Sequence, residues 1–460
     1  MTAPLPPIDP DLILRYDRPG PRYTSYPPAP QFRELDLDTY RAVIEERSSR
    51  CAEAPIALYV HIPFCKSVCY FCGCNVYYTK NRSLAEPYVA RLLRETRALG
   101  DLLDPRVRLV ELQWGGGTPT FLSAELLERL ACGIFERFAP TEEADLGVEI
   151  DPREVDEEKL AALARVGFRR VSIGVQDFDP QVQEAVHRRQ PFELTRDVIE
   201  ACRDLGFESV NVDLIYGLPH QSPRSIGRTI DRVLELAPDR LAVFNFAYLP
   251  DAIPHQRGID SDALPAARTK LEILAQIIST LTRAGYVHIG MDHFARETDD
   301  LARALENGTL HRSFQGYTTR AGSDLFGIGA TSIGEIGAAY VQNQKDPRVW
   351  AEAVDRDGLA PFRGLRLSAD DVLRRDVIRR LLCRFALVKA EIEREHGIEF
   401  DDTFSDAIEL LRPMADDGLV EIRSDRIDVL PLGRLLVRNV AMAFDAYRGS
   451  GGPRSYSRTV

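Results

Sequence analysis

The sequence predicts an α/β fold: a partial, open TIM-like (βα)6 barrel, preceded by an N-terminal arm and followed by a mostly helical, winged-helix-like module. Three observations carry this expectation. Between Pro55 and about Met291, β-branched apolar runs alternate with amphipathic stretches, as parallel strands joined by helical crossovers require. Clusters of Cys, Gly and polar residues follow those runs directly, where a barrel gathers its chemistry at the carboxyl ends of its strands. Beyond about residue 354 the pattern changes to capped helices and a short hairpin. The expected domains are residues 1–54, 55–354 and 355–460.

In chain order, the arm comes first. Tyr16-Asp-Arg-Pro-Gly-Pro-Arg-Tyr-Thr-Ser-Tyr-Pro27 holds more aromatic and arginine residues than a linker needs, so the arm is expected at the active site although its proline density alone would suit a tail. Ile56 to Ile62 is the first strand, and its apolar run bears the mark of burial on both faces. Arg108 to Trp114 is the second, ending in Gly115-Gly-Gly117. A helix from Ser123 to Phe138 follows, with Leu126, Leu127, Leu130, Ile134 and Phe135 at helical spacing behind a Ser123 cap. Leu146 to Ile150, Arg170 to Val175, Ser209 to Tyr216 and Leu241 to Ala247 complete six strands. In the last module, Leu367-Ser-Ala-Asp-Asp371 opens a helix through a capping pattern. A second helix, a hairpin turning at Ser424 and Asp425, and a helix from about Gly433 come after it.

Composition limits the function. The chain has 460 residues, 44% of them hydrophobic, enough for a sizeable core. No apolar stretch approaches the roughly 18 residues of a membrane span. With 58 basic and 70 acidic residues the net charge is -12, which argues against nucleic acid or an anionic membrane as partner. Basic and acidic side chains nearly balance in residues 355–460, so the winged-helix-like module is expected to be structural or a lid over substrate. Met1 to Pro10 lacks the basic start and apolar core of a signal peptide, so the expected location is cytoplasmic and the thiols stay free. Cys51, Cys132, Cys202 and Cys383 stand singly and are expected as packing residues. A monomer is expected.

The chemistry lies in Cys65-Lys-Ser-Val-Cys-Tyr-Phe-Cys-Gly-Cys74, directly after the first strand. A structural zinc knuckle with Cys74 as fourth ligand is one reading. The C-x3-C-x2-C spacing, without a second Cys/His pair, better suits a 4Fe-4S cluster held by Cys65, Cys69 and Cys72, its fourth iron open to another ligand. Trp114-Gly-Gly-Gly-Thr-Pro-Thr120 lets backbone approach a ligand closely. Glu149 ends its strand where a carboxylate can accept hydrogen bonds from a ribose or an ammonium. Gln176 and Asp213 place polar groups among apolar neighbours, where an acid is costly unless partnered, and Arg188 is able to fork onto a carboxylate. Gly327-Ile-Gly329 lacks the third glycine and the βα unit of a dinucleotide fingerprint, so that reading is rejected.

These motifs, with Pro21-Arg-Tyr-Thr-Ser-Tyr-Pro27, His61-Ile-Pro-Phe-Cys65, Asn245-Phe-Ala-Tyr-Leu-Pro250, Ile289-Gly-Met-Asp-His-Phe-Ala295 and Phe314-Gln-Gly-Tyr-Thr318, resemble the oxygen-independent coproporphyrinogen III oxidases, a family of radical S-adenosylmethionine (SAM) enzymes, from about Tyr16 onward. The resemblance implies one 4Fe-4S cluster on Cys65, Cys69 and Cys72 and two SAM molecules. Tyr59, Gly116, Glu149 and Ile333 match the cluster-bound SAM; Phe71, Gly117, Thr118, Gln176, Arg188, Asp213 and Ala247 match the second. Cys74, His61 and Gln315 are the implied catalytic residues, and Arg22, His311 and Arg312 are candidates for substrate carboxylates. The implied reaction turns two propionates of coproporphyrinogen III into vinyl groups, giving protoporphyrinogen IX for heme biosynthesis, with an electron donor and an acceptor that the sequence does not identify. A heme chaperone that keeps the cysteines is the rival reading. The Tyr-rich arm, Cys74 and Phe314-Gln-Gly-Tyr-Thr318 favour the enzyme.

Overall fold

A computed structural model describes residues 8–448 and 456–459. Most of the signal-peptide reading at Met1 to Pro10 therefore lies outside the described residues. Six parallel strands are consecutive neighbours in one sheet: β1 (Ile56–Ile62), β2 (Leu109–Gly116), β3 (Pro140–Ile150), β4 (Arg170–Gln176), β5 (Ser209–Tyr216) and β6 (Arg240–Asn245). Helices cross over between them, and Ser123 caps Ala124–Arg137 by accepting from the Leu126 N–H at 3.3 Å. Among the described residues the sheet has 13 strands in a linear order, so the barrel is open as expected.

The sheet is wider than six βα units. Asp324–Ile328 adds a seventh parallel strand beside β1, so Gly327 and Gly329 end a strand of this barrel. A Cβ at Gly329 would lie 2.6 Å from the His61 carbonyl oxygen. Antiparallel strands Ile333–Ile336, Ala339–Asn343 and Pro361–Arg366 continue that edge, and His293–Arg296 with Tyr286–Gly290 continues the other. The boundary expected at 354/355 falls inside helix Pro347–Asp357, and the main sheet runs on to Arg366.

Strand periodicity sets what faces the interior. In β4, Val171, Ile173 and Val175 are buried, whereas the alternate Ser172, Gly174 and Gln176 are half-open. β5 repeats this, with Val210, Val212 and Leu214 buried and Asn211 and Asp213 on the other face. Polar groups thus line one face at little cost to the core. Cys202 and Cys383 are buried as expected, but Cys51 and Cys132 are exposed and are not packing residues.

The C-terminal module opens at Ala369–Arg384 through the expected cap. Ser368 Oγ accepts from the Asp371 N–H at 3.1 Å and Asp371 Oδ2 from the Ser368 N–H at 3.0 Å, an arrangement worth about 1 kcal/mol. The hairpin forms from Val420–Ile422 and Arg426–Val429, and Ala386–Val388, a strand the sequence reading missed, makes it a three-stranded sheet.

The arm packs on this module. Ile13, Tyr23 and Tyr26 share a hydrophobic core with Val377, Leu381 and Phe444. Tyr23 donates to Asp445 Oδ2 at 3.0 Å, Tyr26 Oη accepts from the Ala446 N–H at 2.9 Å, and Arg438 donates to the Pro21 carbonyl at 3.0 Å. The rest of residues 33–51 is no arm: Arg33–Glu34 joins the main sheet, and Leu37–Cys51 buries Tyr40, Val43 and Ile44 in the barrel core. No helix among the described residues is long and apolar enough to cross a membrane.

Candidate functional site

At the carboxyl ends of β1 to β5 a cavity of about 170 Å³ opens among Cys65, Cys69, Cys72 and Cys74, the glycines after β2, and polar ends of β3 to β5. The loop that carries the thiols is fastened from outside by its backbone. The Tyr70 N–H donates to the Val186 carbonyl at 3.0 Å, the Thr79 N–H to the Cys65 carbonyl at 2.8 Å, and His255 Nε2 lies 2.6 Å from the Cys72 carbonyl oxygen. Cysteine side chains are left to face the cavity. Cys69 is buried, Cys65 and Cys72 half-buried, and Cys74 exposed.

The donor set fits an iron–sulfur cluster better than a single ion. A tetrahedral zinc with bonds of about 2.3 Å draws its sulfurs close together. Among the described residues the only trio of His, Cys, Asp or Glu whose ligand atoms all lie within 4.8 Å of one another is Asp376, Glu395 and His396, far from this loop in the C-terminal module. The thiols are spread more widely, as a multi-iron cluster needs.

Glycine forms the floor because nothing larger fits. A Cβ at Gly115 would lie 2.7 Å from the Glu149 carboxyl carbon, one at Gly116, whose φ is +113°, 2.5 Å from the His61 ring, and one at Gly117 2.5 Å from the Phe64 carbonyl oxygen. Gly116 in turn donates its N–H to Glu149 Oε2 at 3.2 Å. Burial, helped by the neighbouring Asp213, pushes the Glu149 carboxyl up to about 7, so this is no ordinary solvated acid at a strand end.

Polar groups on the far side are held in a network. Asp213 accepts from Ser172 Oγ at 3.0 Å and Asn211 Nδ2 at 2.7 Å, the partners that an acid within a strand calls for, and burial still raises it to about 6. Arg188 donates to the Gly174 carbonyl at 2.6 Å and to Asp151 Oδ2 at 3.2 Å, and lies 3.6 Å from the Cys69 sulfur. Gln176 has φ of 72°, uncommon for a residue with a side chain and placed where β4 bulges against β5.

Of the residues singled out from the sequence, Phe71, Gly116, Gly117, Glu149, Gln176, Arg188 and Asp213 line this cavity with the four cysteines. Thr118 sits just behind, its Oγ1 accepting from the Asp151 N–H at 3.3 Å. His61 and Tyr59 are one layer deeper, where Tyr59 Oη and His61 Nδ1 are 3.1 Å apart and burial lowers the imidazole to about 4. Ala247 accepts from Gln256 Nε2 at 3.0 Å and does not line the cavity. Ile333 packs with Phe32 and Tyr340 in a core cluster, and Gln315 turns the hairpin between His311–Ser313 and Gly316–Thr318. Neither lines the cavity.

The carboxylate candidates separate. Arg22 is paired with Asp292, so its charge is already met. His311 is held near 4 by burial and by Arg379, and carries no charge at neutral pH. No described residue of the arm lines the cysteine cavity, against the expectation from the sequence. The reading also missed Asp151 and Arg153. Asp151 binds Arg153 at 2.6 Å as well as Arg188, and Arg153 Nη2 reaches the Cys69 sulfur at 3.3 Å. Burial raises Asp151, but the two guanidinium groups outweigh it and hold the carboxyl down at about 2. The place of Asp151 two residues after Glu149 was the available signal.

Residues 59–233 match the radical SAM superfamily and residues 367–436 the HemN C-terminal domain. The chain is 46% identical to an oxygen-independent coproporphyrinogen III oxidase of Pseudomonas aeruginosa, over 98% of each chain. It is 45% identical to that of Escherichia coli, again over 98% of each. Its fold matches a solved structure described as coproporphyrinogen III oxidase (HemN) from Escherichia coli, a radical SAM enzyme, with a TM-score of 0.91 and 43% identity over 96% of this chain and 99% of that one.

Proposed function

The chain belongs to the oxygen-independent coproporphyrinogen III oxidases of the radical SAM superfamily, and we infer that it oxidatively decarboxylates coproporphyrinogen III in heme biosynthesis. The observation that carries this is the cavity that joins three cluster-spaced thiols to a glycine floor and two buried carboxyls. When bound, the 4Fe-4S cluster and SAM supply the radical that removes a hydrogen from a propionate side chain, and loss of carbon dioxide and one more electron leaves a vinyl group.

Cys65, Cys69 and Cys72 are the proposed cluster ligands, with Cys74 beside them as a catalytic residue. Arg153 and Arg188 direct N–H groups at the Cys69 sulfur, and hydrogen bonds of that kind tune a cluster's potential. Glu149 is placed to accept from the ammonium or ribose of a SAM against the Gly115-Gly-Gly117 floor. A bound cation would favour its ionised form, opposing the burial and the Asp213 charge that raise this carboxyl. Gln176, Arg188 and Asp213 line the other side of the same cavity and are the proposed contacts of a second SAM. The test is an anaerobic assay with reductant, SAM and coproporphyrinogen III. Formation of protoporphyrinogen IX with release of carbon dioxide is expected; stable heme binding without turnover would favour the chaperone reading instead.

A further inference from the structure

A second polar cavity lies away from the thiols, where the arm, the hairpin His311–Thr318 and helix Ala369–Arg384 meet. Tyr23, Ser25, Tyr26, Arg312, Tyr340 and Arg379 are among its walls, and its volume of about 10 Å³ is about that of one water molecule, so a carboxylate enters it only as these walls part. Arg312 is 5% exposed, yet its Nε and Nη1 have no hydrogen-bond partner. Ser25 is 4% exposed and its hydroxyl is unpartnered too. Buried polar groups are nearly always satisfied, so two orphans facing one cavity need an explanation. Tyr317 gives Arg312 its ring face, with the guanidinium carbon 4.8 Å from the centroid, and its hydroxyl, but no negative charge.

No protein carboxylate answers this charge. Glu335 Oε1 already takes both Arg375, at 3.2 Å, and Arg379. Asp445 accepts from Tyr23, and Asp376 is paired with Arg380 and His396. Three guanidinium groups therefore share one acid around the cavity. The hairpin that carries Arg312 continues into Phe314, which packs against the cluster holding Tyr59 and against the cluster holding Ile333 and Tyr340. The orphaned cation is thus linked through one short element to the layer beneath the cysteine cavity.

We propose that Arg312, with the Ser25 hydroxyl, is a carboxylate-binding subsite that holds a propionate of the tetrapyrrole other than the one reacting. This rests on the function proposed above. A substrate with four carboxylates, two of which survive the reaction, needs a cation remote from the radical. Arg312 is a buried one with donors to spare. Because the cost of an unpaired buried charge falls on the substrate-free protein, the site stores at the arm what binding releases.

The probe is oxidised coproporphyrin III, titrated onto the protein by its absorbance, with its tetramethyl ester as the carboxylate-free control. Arg312→Gln is expected to weaken coproporphyrin III binding roughly tenfold to hundredfold and Ser25→Ala by several-fold, with the ester bound alike by all three proteins. In turnover the loss should fall mainly on KM. Substrate-free Arg312→Gln should melt close to the native protein, since only the contact with Tyr317 is lost. A large drop in melting temperature, or equal affinity of native and Arg312→Gln for coproporphyrin III, would overturn the subsite. If native protein fails to make protoporphyrinogen IX while coproporphyrin III binding still depends on Arg312, the subsite stands and the proposed reaction falls.

Discussion

Replacing one cysteine sulfur at a time distinguishes the ligands from their neighbour. Cys65→Ser, Cys69→Ser and Cys72→Ser are each expected to lose most iron and sulfide, because an alcohol at its ordinary pKa is a poor ligand for a cluster that takes thiolates. Cys74→Ser is expected to keep the cluster and lose decarboxylation. Iron and sulfide assays on anaerobically purified variants check both. The two carboxyls of the cavity separate in the same way. Glu149→Gln removes the charged acceptor next to Gly116 and is expected to reduce SAM cleavage tenfold or more. Asp213→Asn keeps most of its hydrogen bonds and should spare iron content while lowering vinyl formation more than cleavage, measured as 5′-deoxyadenosine against protoporphyrinogen. Arg188 is a poorer probe of the second site, because it also touches the Cys69 sulfur and Asp151.

The elements were legible in proportion to how locally they are specified. β1 and β5 have the limits that their apolar runs mark, and the helix behind Ser123 begins at its cap, because alternation and capping are written within a few residues. Strands such as Asp324–Ile328 and Ile333–Ile336 were missed, since they are short and broken by glycine, and the first is paired with β1, far away in the chain. Glu95 was missed for a similar reason. It reads as one more acid on the helix Ala85–Asp101, yet it is 2% exposed and accepts from the Gly329 N–H at 2.8 Å, Asn343 Nδ2 at 2.7 Å and Trp350 Nε1 at 3.1 Å. It thereby ties one helix to the end of the seventh parallel strand, to the strand Ala339–Asn343 and to helix Pro347–Asp357. Burial outweighs these three donors and raises its carboxyl to about 7. A pKa raised on folding stabilises fully below the ordinary carboxyl value and loses that stabilisation as pH rises through about 7, a change of about 3 kcal/mol. Glu95→Gln, neutral throughout, should therefore flatten the fall of melting temperature between pH 5 and 8, roughly the window in which this group titrates; an unchanged slope would show that Glu95 stays ionised.

At the scale of the molecule, the described N-terminal residues are divided between two cores. The barrel core takes Tyr40, Val43 and Ile44 from helix Leu37–Cys51, whereas Ile13, Tyr23 and Tyr26 belong to the C-terminal core. The two parts of the N-terminal region thus serve different cores, which the sequence hid because a proline-rich segment shows no periodicity to place it. Where the chain is cut decides which core fails. A chain beginning near Arg33 should keep its barrel and cluster content but expose Val377, Leu381 and Phe444, whose covering aromatics are gone; uncovering large buried side chains costs about 1.5–3 kcal/mol each. Limited proteolysis is then expected to remove residues from about 367 onward while a barrel fragment survives. A chain beginning near Ala54 also loses Tyr40, Val43 and Ile44 and should yield a destabilised barrel with lowered iron content. If the shorter truncation left the C-terminal module protease-resistant and coproporphyrin III binding intact, the arm would be neither the fastener of that module nor, through Ser25, a wall of the carboxylate subsite.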